Sequence, residues 1–262
     1  FEKVLTGSEV EGFRSLVRQR LTGRPLQYIT GDAGFRLLDL QVDERVLVPR
    51  PETEILVEEA LGFLGDRPAG EILDVGCGQG GGLVYLSRLY PQAKLTGTER
   101  SQSAVRLAKR RTKPFTDATI TQGHSGGLAF ADDSFDMVVA VGSPTYFGLT
   151  LFVEEAGRVV KPGGLISFSG GYRQGDHAKV EGEIREAAAK EGLEVLTYRN
   201  ITPHTFASLK ADLPRREATL ARVPWPFSIY ARRWADMPGS PEYDEYEKGL
   251  RADFACVIRK PA

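Results

Sequence analysis

Residues 72–80 read Ile72-Leu73-Asp74-Val75-Gly76-Cys77-Gly78-Gln79-Gly80, followed by Gly81, Gly82 and the run Leu83-Val84-Tyr85-Leu86-Ser87-Arg88-Leu89. An apolar strand runs into an acid, then a glycine-spaced turn, then a helix. Glycine takes positive φ at no steric cost and lets a ligand lie against bare backbone. A strand, such a turn and a helix N-terminus form a cradle at the carboxyl edge of a parallel sheet, where open α/β sheets bind ligands.

Working outward, apolar runs predict further strands over 95–99, 118–122, 135–141, 165–169, 193–198 and 254–258. Helices are expected between them over 101–111, 150–160 and 176–191, with Gly192 ending the last. The 135–141 run is almost continuously apolar, as a strand covered on both faces should be. Alternating strands and helices predict a parallel, doubly wound sheet. Upstream, residues 8–22 have helical spacing, with Ser8 and Glu11 placed as in a capping box. Residues 26–30 and 35–38 flank Gly31-Asp32-Ala33-Gly34 and suggest a hairpin, after which 40–48 continues extended. Pro51 then opens a helix with Glu52 and Glu54 in its first turn. The division expected is 1–64 as an N-terminal helix, hairpin and linking helix on the substrate side. Residues 65–262 are expected to form the main domain, with 200–252 inserted before the last strand as a cap.

Bulk properties bound the function. The chain has 262 residues, 41% hydrophobic and 26% charged, the balance of a soluble globular protein. No apolar run approaches the roughly 20 residues of a membrane helix. No signal peptide is read, and the two cysteines fit a reduced cytoplasm better than a disulfide framework. A net charge of −1 argues against a general nucleic-acid binder, and Lys109-Arg110-Arg111 reads as a solvated helix face. No His, Cys, Asp or Glu cluster has metal-ligand spacing, so no metal is expected. A homodimer is compatible with these numbers.

The glycine turn alone leaves two ligands open. Gly76, Gly78 and Gly81 satisfy the G-x-G-x-x-G of dinucleotide sites, whereas Gly76, Gly78 and Gly80 satisfy the G-x-G-x-G of methyl-donor sites. Three further features shift the balance, Asp74 first. A carboxylate so close repels a pyrophosphate but attracts the cationic amino group of S-adenosylmethionine. Glu99, closing the second strand, can accept from both ribose hydroxyls of either ligand. The Lys161-Pro162-Gly163-Gly164-Leu165 turn has no place in a dinucleotide motif.

Together Asp74, the glycines, Glu99 and the Lys-Pro-Gly-Gly turn resemble the class I S-adenosylmethionine-dependent methyltransferases over about 65–262. The resemblance implies a Rossmann-like seven-stranded sheet and S-adenosyl-L-methionine as cofactor. It implies a donor site of Asp74, Gly76, Cys77, Gly78, Gln79, Gly80, Glu99, Arg100, His124, Ser125 and Ser143, with His124-Ser125 on the adenine side.

Within that superfamily the two halves point in different directions. Arg24-Pro25-Leu26-Gln27-Tyr28-Ile29-Thr30-Gly31 and Leu47-Val48-Pro49-Arg50-Pro51-Glu52-Thr53-Glu54 resemble the release-factor glutamine N5-methyltransferases. That family follows its fourth strand with Asn-Pro-Pro-Tyr, whose Asn amide and backbone hold the substrate amide. Here the stretch reads Ser143-Pro144-Thr145-Tyr146. A hydroxyl lacks the separate donor and acceptor of an amide, and losing half of a paired buried contact costs about 1–3 kcal/mol. The back of the chain, with Trp234-Ala235-Asp236-Met237-Pro238-Gly239-Ser240 and the Lys-Pro-Gly-Gly turn, resembles small-molecule methyltransferases. The leading expectation is therefore O- or N-methylation of a small-molecule acceptor of secondary metabolism. The alternative is glutamine or amide methylation on a protein or peptide, and a second alternative is a donor-binding fold with a non-methylating role.

Methyl transfer from a sulfonium is an in-line displacement that needs alignment and exclusion of water. The candidate catalytic residues are Ser143, Tyr146 and His204, the last as a base. Tyr28, Pro144, Thr145, Tyr146 and Tyr172 are the candidate acceptor contacts. Trp225, Phe227, Tyr230 and Trp234 are expected either to line an apolar pocket or to pack the cap.

Overall fold

The computed structural model describes residues 6–21, 26–35, 38–41, 70–124, 126–221, 232 and 236–262. The chain divides into two compact units, Phe1–Glu54 with Pro203–Gly249, and Ile55–Thr202 with Leu250–Ala262.

The larger unit holds a seven-stranded sheet. Its strands are β3 (Glu71–Val75), β4 (Lys94–Glu99), β5 (Thr119–Gln122), β6 (Phe135–Val141), β7 (Val160–Arg173), β8 (Glu194–Asn200) and β9 (Arg251–Arg259). They lie in the order β5-β4-β3-β6-β7-β9-β8. β5, β4, β3, β6 and β7 are parallel to one another, and β9 runs antiparallel to both β7 and β8. The sheet is thus mixed, which corrects the all-parallel expectation. β9 follows β8 in the chain and lies between β7 and β8, antiparallel to both, so this connection is not a βαβ crossover.

The period of two along each strand distributes the core to both faces. Leu73, Val75, Val138, Ile166, Phe168, Phe254 and Ile258 pack on one face. Helices α5 (Leu149–Val159) and α6 (His177–Lys190) cover them through Phe152, Val153, Ala156, Ile184 and Ala187. Ile72, Leu95, Met137, Leu165 and Val257 pack on the other. There α3 (Gly81–Leu89) and α4 (Gln102–Thr112) cover them with Leu83, Leu86, Val105 and Ala108. Phe168 meets Phe152 and Phe254 edge-on at 5.1 and 5.9 Å, anchoring the strand pair that carries the antiparallel edge. At the amino edge, Asp136 accepts from the Gly70 and Glu71 amides and from Lys161. Burial opposes its charge, but these donors outweigh that and hold its pKa below the ordinary carboxylate value. Lys161 of the Lys-Pro-Gly-Gly turn is thereby tied to the start of β3.

In the other unit, α1 (Gly7–Leu21) is helical as expected, with Ser8 one residue inside it rather than at the cap. Residues 26–30 form a short helix, α2 (Leu26–Thr30), and not a strand. Gly31 at φ +85° ends that helix as a left-handed C-terminal residue, the role the sequence reading had given to a hairpin loop. The hairpin lies further on, where β1 (Asp32–Phe35) pairs antiparallel with β2 (Leu38–Gln41). Helix α7 (Thr202–Leu220) runs into this unit, and Phe206 on it stacks on Tyr246 at 5.3 Å and meets Tyr243 edge-on. Both tyrosines stand on α8 (Pro241–Glu247), capped by Ser240. The extended 42–48 segment, the helix expected from Pro51, and Trp225, Phe227, Tyr230 and Trp234 lie outside the described residues.

Among the described residues no helix is long and apolar enough to cross a membrane. Among the same residues no three His, Cys, Asp or Glu side chains are placed to hold a metal ion.

Candidate functional site

Strand order reverses at β3, whose chain successor β4 lies on one side and β6 on the other. A doubly wound sheet opens a crevice at such a point, outside the carboxyl ends of the strands. A cavity of about 470 Å³ sits there, lined by Val75 and Gly76 at the end of β3, Glu99 and Arg100 at the end of β4, Gly123 and His124 after β5, and Val141 to Ser143, Tyr146 and Phe147 at and beyond the end of β6. Its size is that of a small-molecule site.

The β3 turn is pinned from several sides. Gly76 and Cys77 both donate their amides to the Thr98 carbonyl, at 2.8 and 3.0 Å. Gly76 sits at φ +75° with Ser143 against it: an added Cβ would stand 2.4 Å from the Ser143 Cβ. Gly78, at φ +55°, has open space where a side chain would be, and its amide donates to Glu99 Oε2 at 3.0 Å. Glu99 Oε1 accepts from the Ser101 amide at 2.8 Å. The carboxylate is held in place by these two donors and keeps further lone pairs toward the cavity.

Asp74 is buried at 5% exposure beneath the turn, with its Oδ2 against the Gly82 backbone, and no described residue donates a hydrogen bond to it. Burial, with the Glu99 charge second, pushes its pKa up to about 7. An unpartnered buried carboxylate is costly, and a cationic ligand group satisfies it. On the far wall His124 stacks on Phe147 at 5.7 Å, and the Arg100 guanidinium stands 5.9 Å from the same ring. His124 Nδ1 accepts from the Gly126 amide, which leaves Nε2 to carry the proton. The residues present therefore fit S-adenosylmethionine. Asp74 suits the cationic amino group, Glu99 the ribose diol, Gly78 a close backbone approach, and the His124–Phe147 wall a purine.

Of the expected donor residues, Gly76, Glu99, Arg100, His124 and Ser143 line this cavity, Asp74, Gly78 and Gly80 are not among its lining residues, and Ser125 is outside the described residues. Cys77 turns its side chain into the core against Gly97, and burial pushes its thiol up to about 12. Gln79 faces outward and accepts from Arg111 of α4. Both belong to the turn through their backbone.

Of the acceptor candidates, Tyr146 is 83% exposed at the rim, and Pro144 is buried. Thr145 packs against Gly170 of β7. Tyr172 is half-buried against the core, and burial followed by the Glu183 charge raises its phenol pKa. Neither residue is among those lining the cavity. Tyr28 and exposed His204 belong to the smaller unit. His177 is taken up by Tyr198 at 2.8 Å and Thr202 at 3.0 Å.

Sequence reasoning missed Phe147 altogether. It follows a short 3₁₀ turn, Pro144–Tyr146, and only its contact with His124 marks it. The expected effect of Phe147→Ala is a roughly tenfold weaker binding of S-adenosylhomocysteine in calorimetry, the scale of one base-stacking contact. An unchanged affinity would remove Phe147 from the donor site.

Comparison with known proteins gives two domain matches, the methyltransferase domain over residues 72–164 and the PrmC N-terminal domain over 1–31. The release factor glutamine methyltransferase of Caulobacter vibrioides is 30% identical over 243 residues, covering 80% of this chain and 81% of that protein. That of Chlorobaculum tepidum is 44% identical over 116 residues, covering 42% of this chain and 39% of that protein. The chain spans about half the length, or less, of several such curated relatives. Among solved structures, the O-methyltransferase from a trans-AT PKS multienzyme of Brevibacillus brevis, in complex with S-adenosyl-L-homocysteine, matches with a TM-score of 0.62 at 18% identity. It covers 80% of this chain and 73% of that one. At that identity the likeness is one of fold.

Proposed function

The chain belongs to the family of the release factor glutamine methyltransferases and is an S-adenosylmethionine-dependent methyltransferase; from that premise we propose that it methylates the side-chain amide nitrogen of a glutamine presented on a protein or peptide. The observation that carries this reading is the open rim of the donor cavity. Tyr146 is 83% and Val141 47% exposed, which supports contact with an extended loop.

S-adenosylmethionine supplies an electrophilic methyl group. The protein's part is to hold the acceptor nitrogen in line with it and to keep water out. An amide nitrogen is a weak nucleophile because its lone pair is delocalised. Carbonyls that accept its N–H groups raise its electron density as it attacks. The Ser143 and Pro144 carbonyls after β6 accept from the Tyr146 and Phe147 amides and each keep a second lone pair for that purpose. The C–S bond breaks as the C–N bond forms, and the nitrogen's proton leaves to solvent. In this proposal residues 1–64 and 200–252 serve as the acceptor-side lid and cap.

One observation favours a small-molecule amine or hydroxyl acceptor instead. Ser143 stands where the family pattern places Asn, so one half of the paired amide contact is missing. The two readings separate in a donor-turnover assay with a glutamine-bearing release-factor peptide, its Gln→Glu counterpart, and a panel of phenols and amines. The proposal expects S-adenosylhomocysteine to form with the glutamine peptide alone. Turnover with a phenol or amine and not with the peptide would overturn it.

A further inference from the structure

Ser143 was expected to touch the acceptor, but its hydroxyl is already engaged. Ser143 Oγ donates to the Val75 carbonyl at 2.6 Å. Val75 ends β3, and the same peptide unit presents its N–H, that of Gly76, to the Thr98 carbonyl at 2.8 Å. The Val75–Gly76 peptide is therefore gripped at both ends, its oxygen by the loop after β6 and its nitrogen by the end of β4. That grip fixes the plane of the first peptide in the glycine turn and with it the φ of +75° at Gly76. Ser143 Cβ also packs on the Gly76 backbone so closely that a Cβ there would stand 2.4 Å away. Val75, Gly76 and Ser143 all line the cavity.

We propose that Ser143 is a positioning residue for the donor site: through the Val75 carbonyl its hydroxyl sets the conformation of the Gly76 turn, and its side chain does not hold the acceptor. A serine hydroxyl has one proton to give, and the Val75 carbonyl receives it. An asparagine side chain is longer, and its amide reaches beyond this carbonyl, so replacement by serine exchanges a contact to the acceptor for a brace under the donor. Without the brace, the Val75–Gly76 peptide is free to rotate its carbonyl away, and binding must first reorder the turn. Losing such preorganisation weakens binding without removing any ligand contact. This inference rests on the reading of the cavity as the donor site and is independent of which acceptor the enzyme uses.

The test is calorimetry with S-adenosylhomocysteine on the full chain, for wild type, Ser143→Ala and Ser143→Thr, with steady-state kinetics alongside. Ser143→Ala is expected to weaken donor-product binding roughly three- to tenfold, the scale of one net hydrogen bond. It raises KM for S-adenosylmethionine by a like factor and leaves KM for the acceptor unchanged. Ser143→Thr keeps the hydroxyl and restores binding to within about twofold of wild type. Unchanged affinity in Ser143→Ala with a raised acceptor KM would overturn the proposal and return Ser143 to the acceptor. So would a Ser143→Thr variant that binds as weakly as the alanine variant. Failure of the glutamine proposal leaves the calorimetric result untouched, since no acceptor is present.

Discussion

Asp74→Asn is expected to weaken S-adenosylmethionine binding by roughly 100-fold, the scale of truncating one partner of a buried charge pair. The same change is expected to make the ligand-free protein more stable above pH 7. Asp74 is buried with no hydrogen-bond donor from the described residues, and burial followed by the Glu99 charge raises its pKa from 3.8 to about 7. Below pH 3.8 the carboxyl is protonated in both folded and unfolded chains and costs nothing. As pH rises, the unfolded chain releases its proton first, and stability falls progressively until about pH 7, where the folded chain must also carry the charge. Asparagine has the same shape and never titrates, so it avoids a penalty on the order of a few kcal/mol. Thermal melting at pH 8 should place the variant above wild type, with the gap closing toward pH 4. Donor affinity has the opposite dependence. A cationic amino group selects the ionised carboxylate, so wild-type binding tightens as pH rises through 7 while the variant's stays flat. Equal donor affinities for the two proteins at pH 8 would remove Asp74 from the site.

Gly76→Ala should cost the larger unit roughly 5–15 °C in melting temperature and abolish measurable donor binding. A non-glycine residue at φ +75° carries about 1–3 kcal/mol of backbone strain, and here the new methyl also meets the Ser143 Cβ at 2.4 Å. The loop after β6 cannot retreat without giving up its bond to Val75. At roughly 2–4 °C per kcal/mol for a domain of this size, strain and clash together give the predicted shift. Gly78→Ala supplies the contrast. It also has positive φ, but its Cβ would enter open space. It is expected to carry the backbone strain alone, without the clash. A Gly76→Ala protein that melts like wild type would show that the turn is not braced as described.

The core of the larger unit was legible in the sequence because apolar runs bounded by acids and glycines have few readings. Ile72–Val75 and Phe135–Val141 alternate their side chains between two helix-covered faces, and both lie where the pattern placed them. Strand direction was not legible. The run Phe254–Ile258 is equally apolar read either way, and only the pairing of β9 with β7 reveals that it is antiparallel. Residues 26–30 misled because five residues rich in leucine, tyrosine and isoleucine fit strand and helix alike, and Gly31 can close either. In the site, a motif fixes backbone geometry better than side-chain direction. Gly76 and Glu99 line the cavity, but Cys77 turns inward and Gln79 outward from the same turn. Phe147 had no periodic signal, and its partner His124 is separated from it by a strand and a loop. Ser143 showed the reverse. Its identity stood out as a departure from the family pattern, yet the atom it serves, the Val75 carbonyl, could be found only in three dimensions.

Methyl transfer to a glutamine amide on a protein is open to direct measurement. Its most direct test is tandem mass spectrometry of a release factor incubated with this enzyme and S-adenosylmethionine. The predicted result is one added methyl group, localised to the side-chain nitrogen of a single glutamine and absent from the Asp74→Asn reaction. An unmodified release factor, from an enzyme that binds the donor and turns it over on a small molecule, would contradict the claim.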